Sequence, residues 1–196
     1  MQPLLVTGFG AFGSVANNPT EQIACALDGM HLADGRRIVG AVLPVSAARA
    51  PGELDALLAA HDPIAVVLTG VDERATHLKL ETRAANELAF RIADNDGVVR
   101  DGEAVIEGAA AALASSLPLE AIESALLRAA VAHARSNDAG RYLCNLVFFH
   151  LRATRPALPG GFVHVPPLET WPVAHTQSAI RLVAEATNAA LAPVHV

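Results

Sequence analysis

One side chain in the second half of the sequence is placed to act as a nucleophile. Cys144 follows a polar turn, residues 136–141, and stands in the first turn of a helix predicted over residues 141–152. The positive end of a helix dipole favours the thiolate, which is the reactive form of a cysteine. The alternative is a buried structural residue, because cysteine is among the residue types most often buried. Cys144 is therefore a candidate nucleophile.

A cysteine nucleophile needs a base, and His164 is better placed for this role than the other histidines. It stands near the end of a short apolar strand predicted over residues 161–165, close to a Pro-Pro loop. In parallel α/β sheets, functional residues gather at the carboxyl ends of strands. The alternative is a half-buried strand histidine with a satisfied hydrogen bond. A third group must orient the imidazole, and Glu81, Glu169 and Asp138 are all candidates.

A glycine-rich segment at residues 8–13 matches the G-x-G-x-x-G pattern of dinucleotide-binding proteins. That motif requires a helix that begins within the glycines, so that its N-terminus meets the pyrophosphate. Here the helix signal comes later, at Asn18 and Pro19, which suit the N-cap and the first helical position. Phe9 and Phe12 also crowd a loop that phosphate would have to approach. The pattern therefore disfavours nucleotide binding and leaves a tight turn or a substrate loop.

The elements that must position these residues alternate between strands and helices. Apolar runs predict strands over residues 3–7, 37–43, 64–68 and 161–165. Helical patterns begin at Asn18 and cover residues 48–61, 119–134, 141–152 and 173–191. Residues 82–92 are ambiguous, because their composition favours a helix but a turn at residues 94–97 follows closely. This alternation predicts an α/β fold with a largely parallel sheet. No linker divides the chain, so we expect residues 1–196 to form a single domain.

Composition argues against several classes of protein. The 196 residues are 52% hydrophobic and 17% charged, which excludes a disordered chain. The formal net charge is −6 and no basic run is longer than two residues, so no nucleic-acid partner is expected. We expect no membrane span, no signal peptide and no disulfide framework from two cysteines. A cytoplasmic protein without a metal site is the expectation, since no His/Glu spacing matches a zinc motif.

Four segments occur in an order that is found in one enzyme family. They are Val6-Thr7-Gly8-Phe9-x-x-Phe12-Gly13, then Arg91-Ile92-x-Asp94-Asn95-x-Gly97, then Ser136-Asn137-x-Ala139-Gly140-x-Tyr142-x-Cys144-Asn145, and Gly161-Phe162-Val163-His164-Val165-Pro166. Together they resemble pyroglutamyl peptidase type I, also called pyrrolidone-carboxylate peptidase, over nearly the whole chain. The third and fourth segments resemble that family's cysteine and histidine segments. The second resembles the stretch after its catalytic glutamate, which places Glu81 in the glutamate position.

This resemblance implies a cysteine peptidase that removes an N-terminal pyroglutamyl residue from small peptides. The implied fold is a three-layer α/β/α sandwich, assembled as a homo-oligomer (tetramer or dimer) and without a cofactor. Cys144 would attack the pyroglutamyl carbonyl. His164 would activate the thiol and protonate the leaving amine, and Glu81 would orient His164.

The resemblance also implies a small pocket for the flat, uncharged lactam ring. Its apolar walls would be Phe9, Phe12, Ile92, Tyr142 and Leu143. Backbone near Asn18 and Val71 would hydrogen-bond the lactam, and Arg91 would help to stabilise the oxyanion.

The sequence departs from the family pattern most clearly at residues 70–75. A Gly-rich segment of the family is replaced here by Gly70-Val71-Asp72-Glu73-Arg74-Ala75. Two acids therefore stand beside the expected pocket, where they either face solvent or favour a cationic residue after the pyroglutamate. The departure leaves two alternatives open: a thiol amidohydrolase of the same fold that acts on another small lactam or amide, and a catalytically inactive binding homologue.

Overall fold

The computed structural model describes residues 1–192, which form ten strands and five helices. The strands are β1 (Leu4–Phe9), β2 (Ile38–Leu43), β3 (Ala65–Val71), β4 (Leu78–Glu81), β5 (Arg83–Ala85), β6 (Leu88–Ala89), β7 (Asp101–Glu103), β8 (Ala112–Ala114), β9 (His133–Ser136) and β10 (Gly160–Val165). The helices are α1 (Pro19–Leu27), α2 (Ala50–His61), α3 (Leu119–Arg128), α4 (Leu143–Thr154) and α5 (Val173–Leu191). Within residues 1–192, no helix is long and apolar enough to cross a bilayer.

The central sheet has six strands in the order β2-β1-β3-β10-β4-β9. Its pairs are parallel except β10 with β4, which is antiparallel. Two small two-stranded sheets, β5-β8 and β6-β7, lie outside it. The central strands β1, β3 and β10 are buried along nearly their whole length, as expected for strands that are covered on both faces. The carboxyl ends of β1, β2, β3 and β10 consequently lie at one edge of the sheet.

Two hydrophobic cores lie on opposite faces of the central sheet. One joins alternate sheet residues such as Val66, Leu68 and Phe162 to α2 and α4. The other joins the intervening residues, such as Val67 and Val163, to α1, α3 and α5. The protein is thus a three-layer α/β/α sandwich with a largely parallel sheet, and the prediction of the fold class is confirmed.

Helix α1 packs unusually close to β1 and β2, and two glycines make this possible. A Cβ added to Gly8 would lie 2.0 Å from the carbonyl oxygen of Thr20, and one added to Gly40 would lie 1.9 Å from that of Ala24. The loop that follows β1 is therefore held directly against the start of the helix. As predicted, Asn18 is the N-cap and α1 begins at Pro19.

One predicted helix is too long, and the structure resolves one segment that was ambiguous from the sequence. The ambiguous residues 82–92 contain the short strands β5 and β6, which pair with β8 and β7 in the small sheets. The helix predicted over residues 119–134 ends at Arg128, and the chain then turns through Ala130, whose φ is +53°. The following residues, His133–Ser136, form the edge strand β9.

Candidate active site

His164 and Glu81 meet on neighbouring antiparallel strands. In the register of β10 and β4, Phe162 lies opposite Glu81 and His164 opposite Lys79. All four side chains therefore share one face of the sheet, because side chains alternate with a period of two. Nδ1 of His164 donates to Oε1 of Glu81 at 2.8 Å, and Glu81 is fully buried. The ring of Phe162 packs on the imidazole, with 4.8 Å between ring centroids.

The environment of His164 favours its protonated form. Burial by itself lowers the pKa of His164, but interactions with Cys144 and then with Glu81 outweigh it and raise the pKa to about 10. Glu169 is exposed, and the Asp138 carboxylate accepts from Arg141 and from the Gly140 amide. Of the three candidate acids, Glu81 is the one that bonds His164 within the described residues.

Cys144 reaches this histidine from α4, which covers the same face of the sheet. It is the second residue of the helix and is partly exposed. A Cβ on Gly70 would lie only 2.6 Å from its Sγ, and Gly70 pairs directly with His164 in the β3–β10 register. The sulfur thus occupies the space over Gly70, beside the imidazole.

Asn145 is a positioning residue that sequence reasoning did not identify. Its buried amide accepts from the Ala85 amide at 2.8 Å and donates to the carbonyls of Ala85 and Glu87 at 2.8 and 2.9 Å. These bonds fix the start of α4 to the segment that follows Glu81. The available signal was a polar residue immediately after Cys144, in a segment, residues 143–149, that is otherwise apolar.

The loop after β1 is held in place by Asn18 and Thr20. Asn18 donates to the Gly10 carbonyl at 2.9 Å, and its Oδ1 accepts from both the amide and the hydroxyl of Thr20. The Asn18 side chain is therefore engaged within the protein. Phe9 is only 3% exposed and belongs to the core under α2 and α4, whereas Phe12 is half-buried at the surface.

Three aromatic rings, those of Phe12, Phe90 and Tyr142, lie together at the start of α4. The ring of Tyr142 lies edge-on to Phe90 at 4.7 Å and 6.2 Å from Phe12. Its hydroxyl donates to the Ala93 carbonyl at 3.2 Å. Burial, with smaller contributions from Asp94 and Cys144, raises the pKa of Tyr142 to about 12. Leu143 is 2% exposed and belongs to the hydrophobic core that joins the sheet to α2 and α4.

Residues 91–98 form a loop that is tied to the rest of the rim. The buried Asp94 carboxylate accepts from the Ala47 amide at 2.8 Å and from the Val98 amide at 2.9 Å. Asn95 donates from its side chain to the Ala11 carbonyl at 2.9 Å. The loop is therefore joined both to the segment that follows β2 and to the glycine-rich loop.

The loop places two predicted site residues at the surface. Ile92 is 47% exposed, and its Cδ1 would lie 3.1 Å from a Cβ on Gly13. Arg91 is also exposed. Ile92 thus lies against the loop that carries Phe12, whose ring is near Tyr142, and Arg91 is an exposed positive charge beside it.

The two acids in the segment after β3, Asp72 and Glu73, have different surroundings. Val71 is half-buried and pairs with Val165. Asp72 accepts from Nζ of Lys79 at 2.5 Å and from the Arg74 amide at 3.0 Å. Burial opposes ionisation of Asp72, but these bonds lower its pKa. Glu73 is exposed, so the two acids differ in their surroundings.

Comparisons with known proteins decide the family. The sequence model of the pyroglutamyl peptidase family matches residues 2–192. The chain belongs to the pyroglutamyl peptidase family. It is thus a member of a cysteine peptidase family, as the resemblance implied. A pyrrolidone-carboxylate peptidase of Deinococcus radiodurans is 36% identical, over 96% of this chain and 95% of that protein. One from Pyrococcus furiosus is 37% identical over 83% of this chain and 80% of that protein.

Solved structures of pyroglutamyl peptidase relatives share the whole fold. A variant of the Pyrococcus furiosus pyrrolidone carboxyl peptidase superposes with a TM-score of 0.92 at 30% identity, covering 97% of this chain and 100% of that chain. The pyrrolidone carboxyl peptidase of Thermococcus litoralis gives a TM-score of 0.91 at 32% identity, covering 97% and 95%. Membership therefore rests on sequence and on fold together.

Proposed function

We propose that this protein hydrolyses the amide bond after an N-terminal pyroglutamyl residue, with Cys144, His164 and Glu81 as its catalytic triad. The observation that carries the proposal is the buried 2.8 Å bond from His164 to Glu81, next to a thiol that raises the pKa of the same imidazole. A base with a fixed orientation beside a cysteine is the arrangement that nucleophilic catalysis requires.

The reaction would proceed in two steps. Sγ of Cys144 attacks the pyroglutamyl carbonyl carbon, and the C–N bond breaks as protonated His164 gives its proton to the leaving nitrogen. The resulting thioester is then attacked by a water molecule, whose proton His164 accepts, and the thiolate leaves. Glu81 keeps the imidazole oriented and balances the charge of the imidazolium.

Backbone at the start of α4 is suited to stabilise the oxyanion. Amides in the first turn of a helix have no intrahelical acceptor, and no side chain among residues 1–192 caps this helix. Such amides stabilise negative charge as it develops, and the exposed Arg91 would add long-range support.

The pocket for the lactam ring would lie between Phe12, Ile92 and Tyr142. These side chains supply apolar walls that suit a flat, uncharged ring. Phe9 and Leu143 would support these walls from the core, and backbone near Asn18 and Val71 would hydrogen-bond the lactam. The alternative of a different lactam or amide rested on Asp72 and Glu73, and the pairing of Asp72 with Lys79 weakens that reason.

A chromogenic pyroglutamyl amide compared with prolyl and glutamyl amides tests this function. We expect turnover of the pyroglutamyl amide alone. Preference for either of the other amides would favour an altered amidohydrolase, and no turnover of any would favour an inactive homologue. Cytoplasmic location, a single domain and assembly as a dimer or tetramer are further proposals, and light scattering tests the assembly.

A further inference from the structure

An ion pair crosses the end of the strand that carries His164. Asp72 follows β3 on one side of β10, and Lys79 lies on β4 on the other side. Their side chains meet at 2.5 Å. The Asp72 amide also donates to the Val165 carbonyl at 3.0 Å. The pair therefore spans β10 immediately after His164.

The position of this pair relates it to the leaving group. In the proposed function, His164 gives its proton to the leaving nitrogen, so the second residue of the peptide begins beside His164. Lys79 is directly opposite His164 in the β10–β4 register and shares its face of the sheet. The charge of His164 is also among the interactions that lower the pKa of Asp72.

We propose that the Asp72–Lys79 pair is one wall of the subsite for the residue after pyroglutamate and makes that subsite indifferent to charge. This inference rests on the proposed function. Each partner neutralises the other, so neither attracts an ionic side chain. The two side chains are partly exposed, at 26% for Asp72 and 32% for Lys79, and so can contact a bound peptide. The cationic preference considered from sequence is masked by Lys79.

Removing either partner should reveal a preference of opposite sign. Asp72→Asn leaves the Lys79 ammonium unpaired and should favour a glutamate after the pyroglutamate. Lys79→Gln leaves the Asp72 carboxylate unpaired and should favour a lysine. For partly exposed charges we expect shifts of about twofold to fivefold that shrink as salt is added.

The experiment measures kcat/KM for amidated pyroglutamyl-Lys, pyroglutamyl-Glu and pyroglutamyl-Gln. Wild type should prefer neither charged substrate by more than about twofold. Glu73→Gln is the matched control, since it removes a neighbouring exposed acid and should leave the ratio unchanged. The double variant Asp72→Asn/Lys79→Gln should restore the wild-type ratio, and this result remains informative if a single variant folds poorly.

Three results would overturn the subsite. One is a constant Lys-to-Glu ratio in all variants, and another is a shift in Glu73→Gln as large as in Asp72→Asn. The third is a shifted ratio in the double variant. The neutral pyroglutamyl-Gln amide distinguishes failure of the proposed function from failure of the subsite. If wild type does not cleave this amide, the proposed function fails and the subsite fails with it.

Discussion

The sulfur of Cys144 lies where a side chain at position 70 would be. A Cβ on Gly70 would approach Sγ to 2.6 Å and Cζ of Phe162 to 2.8 Å. Because Gly70 pairs with His164, a glycine at this point of β3 lets the thiol reach the imidazole. In the proposed mechanism, Gly70 would therefore affect catalysis by leaving room for the sulfur and not by contact with the substrate.

Gly70→Ala should lower kcat/KM by about a hundredfold, the scale expected for displacement of a reacting group by about 1 Å. Most of the loss should be in kcat, and the rate of thiol alkylation at acidic pH should fall as well. Gly52→Ala is the control, because a Cβ there meets nothing within 4 Å. If Phe162→Leu restores activity to Gly70→Ala, the effect arises from ring packing and not from the sulfur.

Glu81→Gln should move the alkaline limb of the pH–activity profile to lower pH. The carboxylate is one of the groups that raise the pKa of His164 to about 10, so its removal should lower the pKa of His164. The fall in kcat should be smaller than that of His164→Ala, for which we expect about a hundredfold or more. An unchanged alkaline limb would show that Glu81 does not act on His164.

The interactions of His164 with Cys144 and with Glu81 make stability depend on pH. The pKa of His164 is raised in the folded protein from 6.5 to about 10, so folding favours its protonated form. This contribution should be complete below about pH 6.5 and lost as the pH rises towards about 10. Denaturant unfolding of wild type and His164→Gln measures it: the difference in unfolding free energy should shrink across this range, and a constant difference would contradict the assignment.

Asn145→Ala should reduce both stability and activity. It leaves the amide and carbonyl of Ala85 and the carbonyl of Glu87 without their present partner, at about 1–3 kcal/mol for each group left buried and unpaired. Asn137→Ala, at an exposed position, is the matched control. Equal unfolding free energies for the two variants would show that Asn145 does not hold the start of α4 in position.

Phe12→Ala and Phe9→Ala should have different effects. Phe12 is half-buried beside Tyr142, so its loss should raise KM by about tenfold as the pocket opens to water. Phe9 is a core residue, so its loss should lower the unfolding free energy by about 3–5 kcal/mol. A raised KM for Phe9→Ala without loss of stability would instead place this ring in the pocket.

Sequence patterns predicted the layers of the fold but not all of its strands. The α5 helix matches its predicted bounds, and the apolar runs of β1 and β3 were recognised because central strands are hydrophobic throughout. The end of α3 was missed because the turn at Ala130 has no glycine to mark it. Residues 82–92 were ambiguous because their composition favours a helix, whereas cross-strand partners and Asn145 hold residues 83–85 extended.

Only the site residues that belong to recognisable sequence motifs could be predicted. Cys144, His164 and Glu81 were identified from position and resemblance, and the structure brings them together. The Asp72–Lys79 pair could not be predicted, because it depends on the antiparallel register of β4 with β10. Gly70 was missed for a similar reason, since its role is a distance between α4 and β3 and has no local signature.

The most direct test of the central claim measures hydrolysis of a pyroglutamyl amide by wild type, Cys144→Ala and Cys25→Ala. The two cysteines are free, and Cys25 is exposed on α1. We expect no turnover by Cys144→Ala, unchanged turnover by Cys25→Ala, and a folded protein by circular dichroism in both. Wild-type turnover by a folded Cys144→Ala would contradict the account.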